Sequence, residues 1–447
     1  MQKNLHYKKY TYSKLKKKLK NKNFNQVKKF YNVFIKNYFT LNKKYLFNQE
    51  FDKSYILRQI KEIFKKKADS KRKIKISLIP IGIKDNINTL DLDTKFGLRV
   101  RKKFRSGNNA RVVSKIIDNT GIIFSKLTCA EFAVHHIDKK KSINPFDKKR
   151  IAGTSSTGSA VAVAVGALPV AIGTQTAGSI LRPSSYCGVI GFKPTYGAID
   201  RIGVLKTNDL SDTVGIISSE LEGIDNTFRC VLNYGKDYPW TKMYKKNLKK
   251  FKKKKLIKIG FLNEKFKLYQ NFDDEVKLEF LLALTKLKKK KIRLIKINNT
   301  KFLDNFHENF YNTYHSSLNY YLKNINPTFK NISPSLRRII NHGKKIDIKK
   351  KINSINYMER GKEKFDRMFK NFDFVIIPTT ASIAPKIESI EKEDTCLIWS
   401  TFGYPTISLP IFNSKKTNLP FGLQIITYKY NDFSLLELSK KISKLLK

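Results

Sequence analysis

The sequence predicts an α/β fold, and three observations carry that prediction. Ile76 to Ile83 reads as a strand, Ile-Ser-Leu-Ile-Pro-Ile-Gly-Ile. Residues 109–118 suit a short amphipathic helix with Val112, Val113, Ile116 and Ile117 apolar, and Gly121 to Phe124 then reads as a second strand. Alternation of strand and helix patterns is the mark of α/β architecture. The chain has 447 residues of which 41% are hydrophobic, enough to bury a large core, so a wholly disordered protein is excluded. That length fits two or three average domains or one large α/β domain.

The remaining elements follow in chain order. Residues 1–75 are Lys-rich and helix-like, with Leu, Phe and Tyr at mixed three- and four-residue spacing. Ala160 to Gly166 reads as a tightly packed helix. Residues 205–370 are Lys/Asn-rich with aromatic clusters (Phe306, Phe310, Tyr311, Tyr314, Tyr320, Tyr321) that read as core stripes. The charge runs Lys249–Lys255 and Lys349–Lys351 read as solvated surface. Phe372 to Pro378, Ile407 to Ile411 and Gly422 to Ile426 read as buried strands. Asp432 to Leu446 is a helix with Leu435, Leu438, Ile442 and Leu445 on one face. No internal repeat is seen.

Lys and Arg number 90 against 36 Asp and Glu, a formal net charge of +54. Such a balance usually points to nucleic acid or an anionic membrane. Here 75 of the bases are Lys and 15 are Arg, and the chain is rich in Asn, Ile, Phe and Tyr, all residues of AT-rich codons. Nucleic-acid readers favour Arg for its planar fork. The charge therefore reads first as compositional bias and second as a nucleic-acid surface; both predict nonspecific binding at low salt. Four Cys without a CxxC pair argue against a disulfide scaffold or a Cys-built zinc site. Met1 to Asn21 is basic but lacks the apolar stretch of a secretory signal. The longest apolar run, Ala160 to Gly173, covers 14 residues, short of the roughly 20 that a membrane span needs. A cytoplasmic protein without membrane association is expected, an organellar transit peptide being the alternative.

Composition changes abruptly at Ile151. From there to Ile199 only Arg182 and Lys193 are charged, in a chain that is 28% charged overall. The segment is dense in Gly, Ser, Thr and Ala, which suits either a tight core or a buried catalytic centre. No GxSxG elbow, HExxH, GxGxxG or Walker A loop occurs. The six His (His6, His135, His136, His307, His315, His342) show no ligand spacing and read as structural.

What remains is Gly153-Thr154-Ser155-Ser156-Thr157-Gly158-Ser159, then Gly173-Thr174-Gln175-Thr176-Ala177-Gly178-Ser179-Ile180-Leu181-Arg182-Pro183, then Cys187-Gly188-Val189-Ile190-Gly191-Phe192-Lys193-Pro194-Thr195. Upstream stands Pro80-Ile81-Gly82-Ile83-Lys84-Asp85-Asn86. Lys126-Leu127-Thr128, Glu131-Phe132-Ala133 and Asn144-Pro145 lie between. Gly403-Tyr404-Pro405-Thr406-Ile407-Ser408-Leu409-Pro410 and Pro420-Phe421-Gly422-Leu423-Gln424 lie near the C-terminus. In this order the motifs resemble the amidase signature family, over roughly Ile76–Gly203 and Phe372–Lys447. The resemblance implies one α/β/α domain built on a large mixed, twisted central sheet covered by helices on both faces. Residues 1–70 would form an N-terminal helical layer, 71–203 and 372–447 the catalytic core, and 205–370 a variable insertion shaping the pocket.

Amide cleavage needs an activated nucleophile, a proton donor for the leaving amine and an oxyanion site. The resemblance implies that Ser179 is the nucleophile, Ser155 the bridging serine behind a cis Thr154–Ser155 bond, and Lys84 the base. The backbone N–H groups of Thr176, Ala177, Gly178 and Ser179 would form the oxyanion hole, with Ser156 and Arg182 in support; Ser156 is the alternative to Ser155 as the bridging serine. A lysine at its ordinary pKa of about 10.4 is protonated at neutral pH, so Lys84 must be buried to act as a base; Ile81, Ile83 and Ile87 agree with burial. Thr154, Thr157 and Ala177 depart from frequent family glycines. The chemistry implies no metal or organic cofactor.

Within that family two readings arise. A free-standing amidase, alone or as a homodimer, acting on a small-molecule amide is favoured. Gln175 replaces an Asp of the tRNA-linked enzyme, the Arg is displaced by one position, and Trp399 precedes Gly403. The alternative is the A subunit of a glutamyl-tRNA amidotransferase, with tRNA and partner subunits. Glutamine recognition would then need a cation and an acid, for which Arg337 or Arg338 and Asp394 are conceivable. A remote third reading is an inactive amidase scaffold that binds nucleic acid.

Overall fold

Strand and helix periods follow the sequence closely where apolar residues are densest. In the computed structural model, which describes residues 10–67, 76–98, 106–134, 142–233, 256–288, 292–325 and 332–446, seven predominantly apolar segments become fully buried strands. They are β2 (Pro80–Lys84), β3 (Ile122–Leu127), β4 (Val170–Gln175), β5 (Ile190–Lys193), β6 (Thr213–Ser218), β9 (Phe374–Pro378) and β11 (Pro420–Thr427). With β1 (Asn48–Glu50), β7 (Ile257–Leu262), β8 (Ile292–Ile297) and β10 (Thr406–Asn413) they form one 11-stranded sheet, ordered β1-β3-β2-β4-β6-β5-β10-β11-β9-β7-β8. β2 runs parallel to both β3 and β4, and β7 parallel to β8 and β9. The other pairs are antiparallel, so the sheet is mixed. A sheet buried on both faces must be covered by helices. The helices Phe24–Tyr45, Lys53–Lys67, Thr157–Ala164, Asp274–Lys288 and Asp432–Leu446 are among those that do so.

Several expected boundaries move. The strand expected from Ile76 begins at Pro80, because Ile79 N–H turns back to Ile76 O (3.0 Å) and Leu78 adopts a φ of +60°. The Ala-rich helix starts at Thr157 rather than Ala160, with Ala160 N–H already bonded to Ser156 O at 3.1 Å. The span 205–370 is not wholly an insertion outside the core. β6 lies between β4 and β5, and β7 and β8 extend the sheet beyond β9. Their short apolar runs are hidden at the level of composition, Thr213–Ser218 by the polar sequence around it and Ile257–Leu262 by its Lys-rich flanks. Phe306, Phe310 and Tyr314 are core residues as expected, but Tyr320 is 65% exposed. The expectations for His6, His135, His136 and Lys249–Lys255 lie outside the described residues. Among the described residues no helix is long and apolar enough to cross a membrane.

Candidate active site

The sheet brings the first two site residues together. β2 and β4 are parallel neighbours, with Ile83 opposite Ile172, so their C-terminal ends leave the sheet side by side. In open α/β sheets this is where ligands bind. Lys84 ends β2, and Thr174 and Gln175 end β4. The Lys84 side chain is fully buried, and its Nζ lies 2.8 Å from Thr174 Oγ1, 3.2 Å from Thr174 O and 2.7 Å from Ser155 Oγ. Asn86, two residues on, donates to the same Thr174 hydroxyl at 3.0 Å.

Ser155 sits in the connection that precedes the helix Thr157–Ala164, and the Thr154–Ser155 peptide bond is cis. Gly153 reaches this turn with a φ of +84°, and a side chain there would strike the backbone of Pro183 at 2.7 Å. Only glycine meets both requirements. The next residue joins the two serine segments: Ser156 N–H donates to Ser179 O at 3.1 Å, and Ser156 Oγ donates to Thr174 O at 3.1 Å. Lys84, Ser155, Ser156 and Ser179 are all buried, Ser179 being 4% exposed.

Between β4 and the helix Leu181–Tyr186 runs the loop expected to form the oxyanion hole. Thr176 Oγ1 donates to Asp212 Oδ1 at 2.6 Å, and Asp212 also accepts the Thr207 hydroxyl (2.7 Å) and the N–H groups of Thr207 (2.7 Å) and Asn208 (2.9 Å). Among the described residues, the N–H groups of Ala177, Gly178 and Ser179 have no protein acceptor. Gly178 is close against Arg182: a Cβ there would lie 2.8 Å from the guanidinium.

Arg182 is buried with two carboxylates. Its Nε lies 2.7 Å from Asp394 Oδ2 and 3.3 Å from Glu391 Oε1. His307 closes the cluster, Nε2 to Asp394 O at 3.0 Å. A carbonyl only accepts, so this nitrogen carries the proton; burial lowers the pKa of His307, which keeps it neutral at pH 7. The expectation that Asp394 could hold a substrate amine is therefore corrected, because its carboxylate is engaged by Arg182. Arg337 and Arg338, the other conceivable glutamine contacts, are exposed on the helix Pro334–Lys345. Removing the cation from a buried ion cluster leaves charges uncompensated, so Arg182→Leu should cost about 3–5 kcal/mol. Equilibrium urea unfolding of the variant against the wild type measures this.

Burial pushes the Lys84 amine down to about 7, with Cys129 and Asp212 pulling the other way. Much of the lysine is therefore neutral near pH 7. A neutral amine has two N–H groups and one lone pair. The two Thr174 oxygens accept the N–H groups, which leaves the lone pair for the Ser155 hydroxyl. The arrangement suits a base that takes a proton from a serine.

Sequence reasoning missed Thr174, Asp212, Glu391 and Ser400, the last bonded to Gln175 Nε2 at 2.8 Å. Thr174 lies within one of the motifs, but nothing marks it as the partner of a lysine 90 residues away. Asp212, Glu391 and Ser400 lie outside the charge-poor block, where composition gives no signal.

A buried lysine against a serine at the carboxyl ends of β2 and β4, joined to a second serine before a short buried helix, defines a class of enzyme that acts on C–N amide bonds. The chain belongs to the amidase family: the model of that family, described as Amidase, matches residues 31–436. Among curated proteins, the chain is 29% identical over 388 residues to the A subunit of the glutamyl-tRNA(Gln) amidotransferase of Clostridium novyi, covering 78% of this chain and 79% of that one. It is 42% identical over 148 residues to the corresponding protein of Macrococcus caseolyticus, a stretch that spans 32% of this chain and 31% of the relative. Among solved structures, an amidase crystal structure superposes with a TM-score of 0.83 at 19% identity, covering 98% of this chain and 100% of that one. This last likeness shows the fold.

Proposed function

We propose that the protein hydrolyses a carboxylic amide to an acid and ammonia or an amine, through an acyl-enzyme on Ser179. The contact between Lys84 Nζ and Ser155 Oγ, 2.7 Å long and fully buried, is the observation that carries this reading. Neutral Lys84 takes the Ser155 proton while Ser155 takes that of Ser179, whose oxygen bonds to the amide carbon. The oxyanion that forms meets the N–H groups of the 176–179 loop. Collapse breaks the C–N bond, and the proton returns through Ser155 to the leaving amine. Water then attacks the ester by the same relay and frees the acid. No step draws on a metal or organic cofactor, and the free-standing reading takes a small-molecule amide in the cytoplasm.

A second reading is favoured by the curated relatives, which are A subunits of glutamyl-tRNA amidotransferases. The amide is then glutamine, and the ammonia passes to a tRNA-bound acid with partner subunits present. Ammonia release from a panel of amides, including free glutamine, compared with Ser179→Ala, separates the two. Ser179-dependent release from simple aliphatic or aryl amides supports the free-standing enzyme. Release from glutamine alone, or only with partner subunits and charged tRNA, supports the second reading. The absence of Ser179-dependent release under all these conditions would contradict both.

A further inference from the structure

The structure assigns Gln175 and Ser400 as positioning residues that fix the 176–179 loop between the sheet and the helix Cys396–Thr401. The inference rests on the reading of that loop as the oxyanion site. Gln175 is 1% exposed and Ser400 fully buried. Gln175 Oε1 accepts two backbone N–H groups, Ile180 at 2.8 Å and Leu181 at 3.0 Å. Those two donors fix the orientation of the side-chain amide, so Nε2 faces Ser400 Oγ at 2.8 Å and donates to it. The Ser400 hydroxyl lies 2.7 Å from Ala177 O and 2.9 Å from Cys396 O.

The direction of these bonds matters. A serine hydroxyl carries one hydrogen. Because Gln175 donates to Ser400, that hydrogen is available to the Ala177 carbonyl, whose peptide unit includes the Gly178 N–H. The glutamine thus holds the loop at both ends. Its oxygen anchors the segment after Ser179, and its nitrogen, through Ser400, anchors the segment before it. An ionised carboxylate at position 175 still accepts from Ile180 and Leu181, but it accepts from Ser400 as well. The hydroxyl hydrogen then turns toward residue 175, and Ala177 O loses its donor. Gln175 thus supplies toward Ser400 a donor that an ionised carboxylate lacks.

The test uses Gln175→Glu, Ser400→Ala and the double variant at pH 8, with Ser179→Ala as reference. Hydrogen exchange of the 176–182 amides should quicken by about tenfold or more in each variant, while exchange of β2 and β4 stays unchanged. On an amide that the wild type hydrolyses, kcat should fall about 10- to 100-fold with KM within about threefold, since the loop donors act on the transition state. The double variant should fall no further than the worse single one, because both substitutions break one connection. Unchanged exchange at 176–182, multiplicative losses, or a loss confined to KM would overturn the assignment. If the wild type shows no Ser179-dependent hydrolysis, the oxyanion reading itself fails, and the exchange data still decide whether the bridge orders the loop.

Discussion

Ser179→Ala should lower amide hydrolysis on the order of 10⁴-fold or more, with the fold intact. In the proposed mechanism the variant removes the atom that bonds to the substrate carbon, and losses of this size are usual when a nucleophile acts in concert with its base. Ser179 is small and buried, and the contact between its segment and Ser156 runs through its carbonyl, which alanine keeps. Melting temperature should therefore shift little. Steady-state ammonia release and a thermal melt, run on the same preparation, separate lost chemistry from lost structure.

The second large effect concerns Lys84. In the proposed mechanism the neutral amine is the active form, and burial brings its pKa down to about 7. The log of kcat/KM should therefore rise with pH up to about 7 and level off above it. Lys84→Met should abolish activity across the range. The same shift has a consequence for stability. The unfolded chain binds a proton at Lys84 up to the ordinary lysine pKa near 10.4, whereas the folded chain releases it above about 7. Between these values the unfolded state holds more protons, so this residue makes the protein more stable as pH rises, and its cost is greatest below about pH 7. Lys84→Met removes that cost. It loses the hydrogen bonds to Ser155 and Thr174 but leaves no buried charge, so the inactive variant should be at least as stable as the wild type at pH 7. Denaturant unfolding at pH 7 and pH 10 should show its advantage shrinking at the higher value.

The parts of the molecule legible in the sequence are those where local pattern and burial agree. β9, β10, β11 and the terminal helix Asp432–Leu446 can be read because their apolar residues follow the period of the element they form. The charge-poor block from Ile151 to Ile199, in which only Arg182 and Lys193 are charged, is buried almost throughout and holds Ser155, Ser156 and Ser179 of the candidate site. β6 is not legible as a core strand, since its six residues lie in a polar surrounding and only the ladder with β4 and β5 makes them central. The partners of the charged groups are illegible for another reason. Arg182 meets Asp394 across 212 residues of chain, and Thr176 meets Asp212 across 36; no local pattern encodes such pairs. Asp394 is conceivable as a ligand contact while the chain is read linearly, and the ion cluster it joins emerges only on folding. The contact between His315 Nδ1 and His342 Nδ1, 2.9 Å across two helices, is of the same kind.

The most direct test of the central claim needs no knowledge of the substrate. The protein is treated with a serine-directed fluorophosphonate, which exchanges its fluoride for the oxygen of an activated serine, and the adduct is located by peptide mass spectrometry. One adduct should form, on Ser179, at a rate that follows the deprotonation of Lys84 near pH 7 and that is lost in Lys84→Met. An adduct on another residue, or labelling of Ser179 that persists without Lys84, would contradict the account.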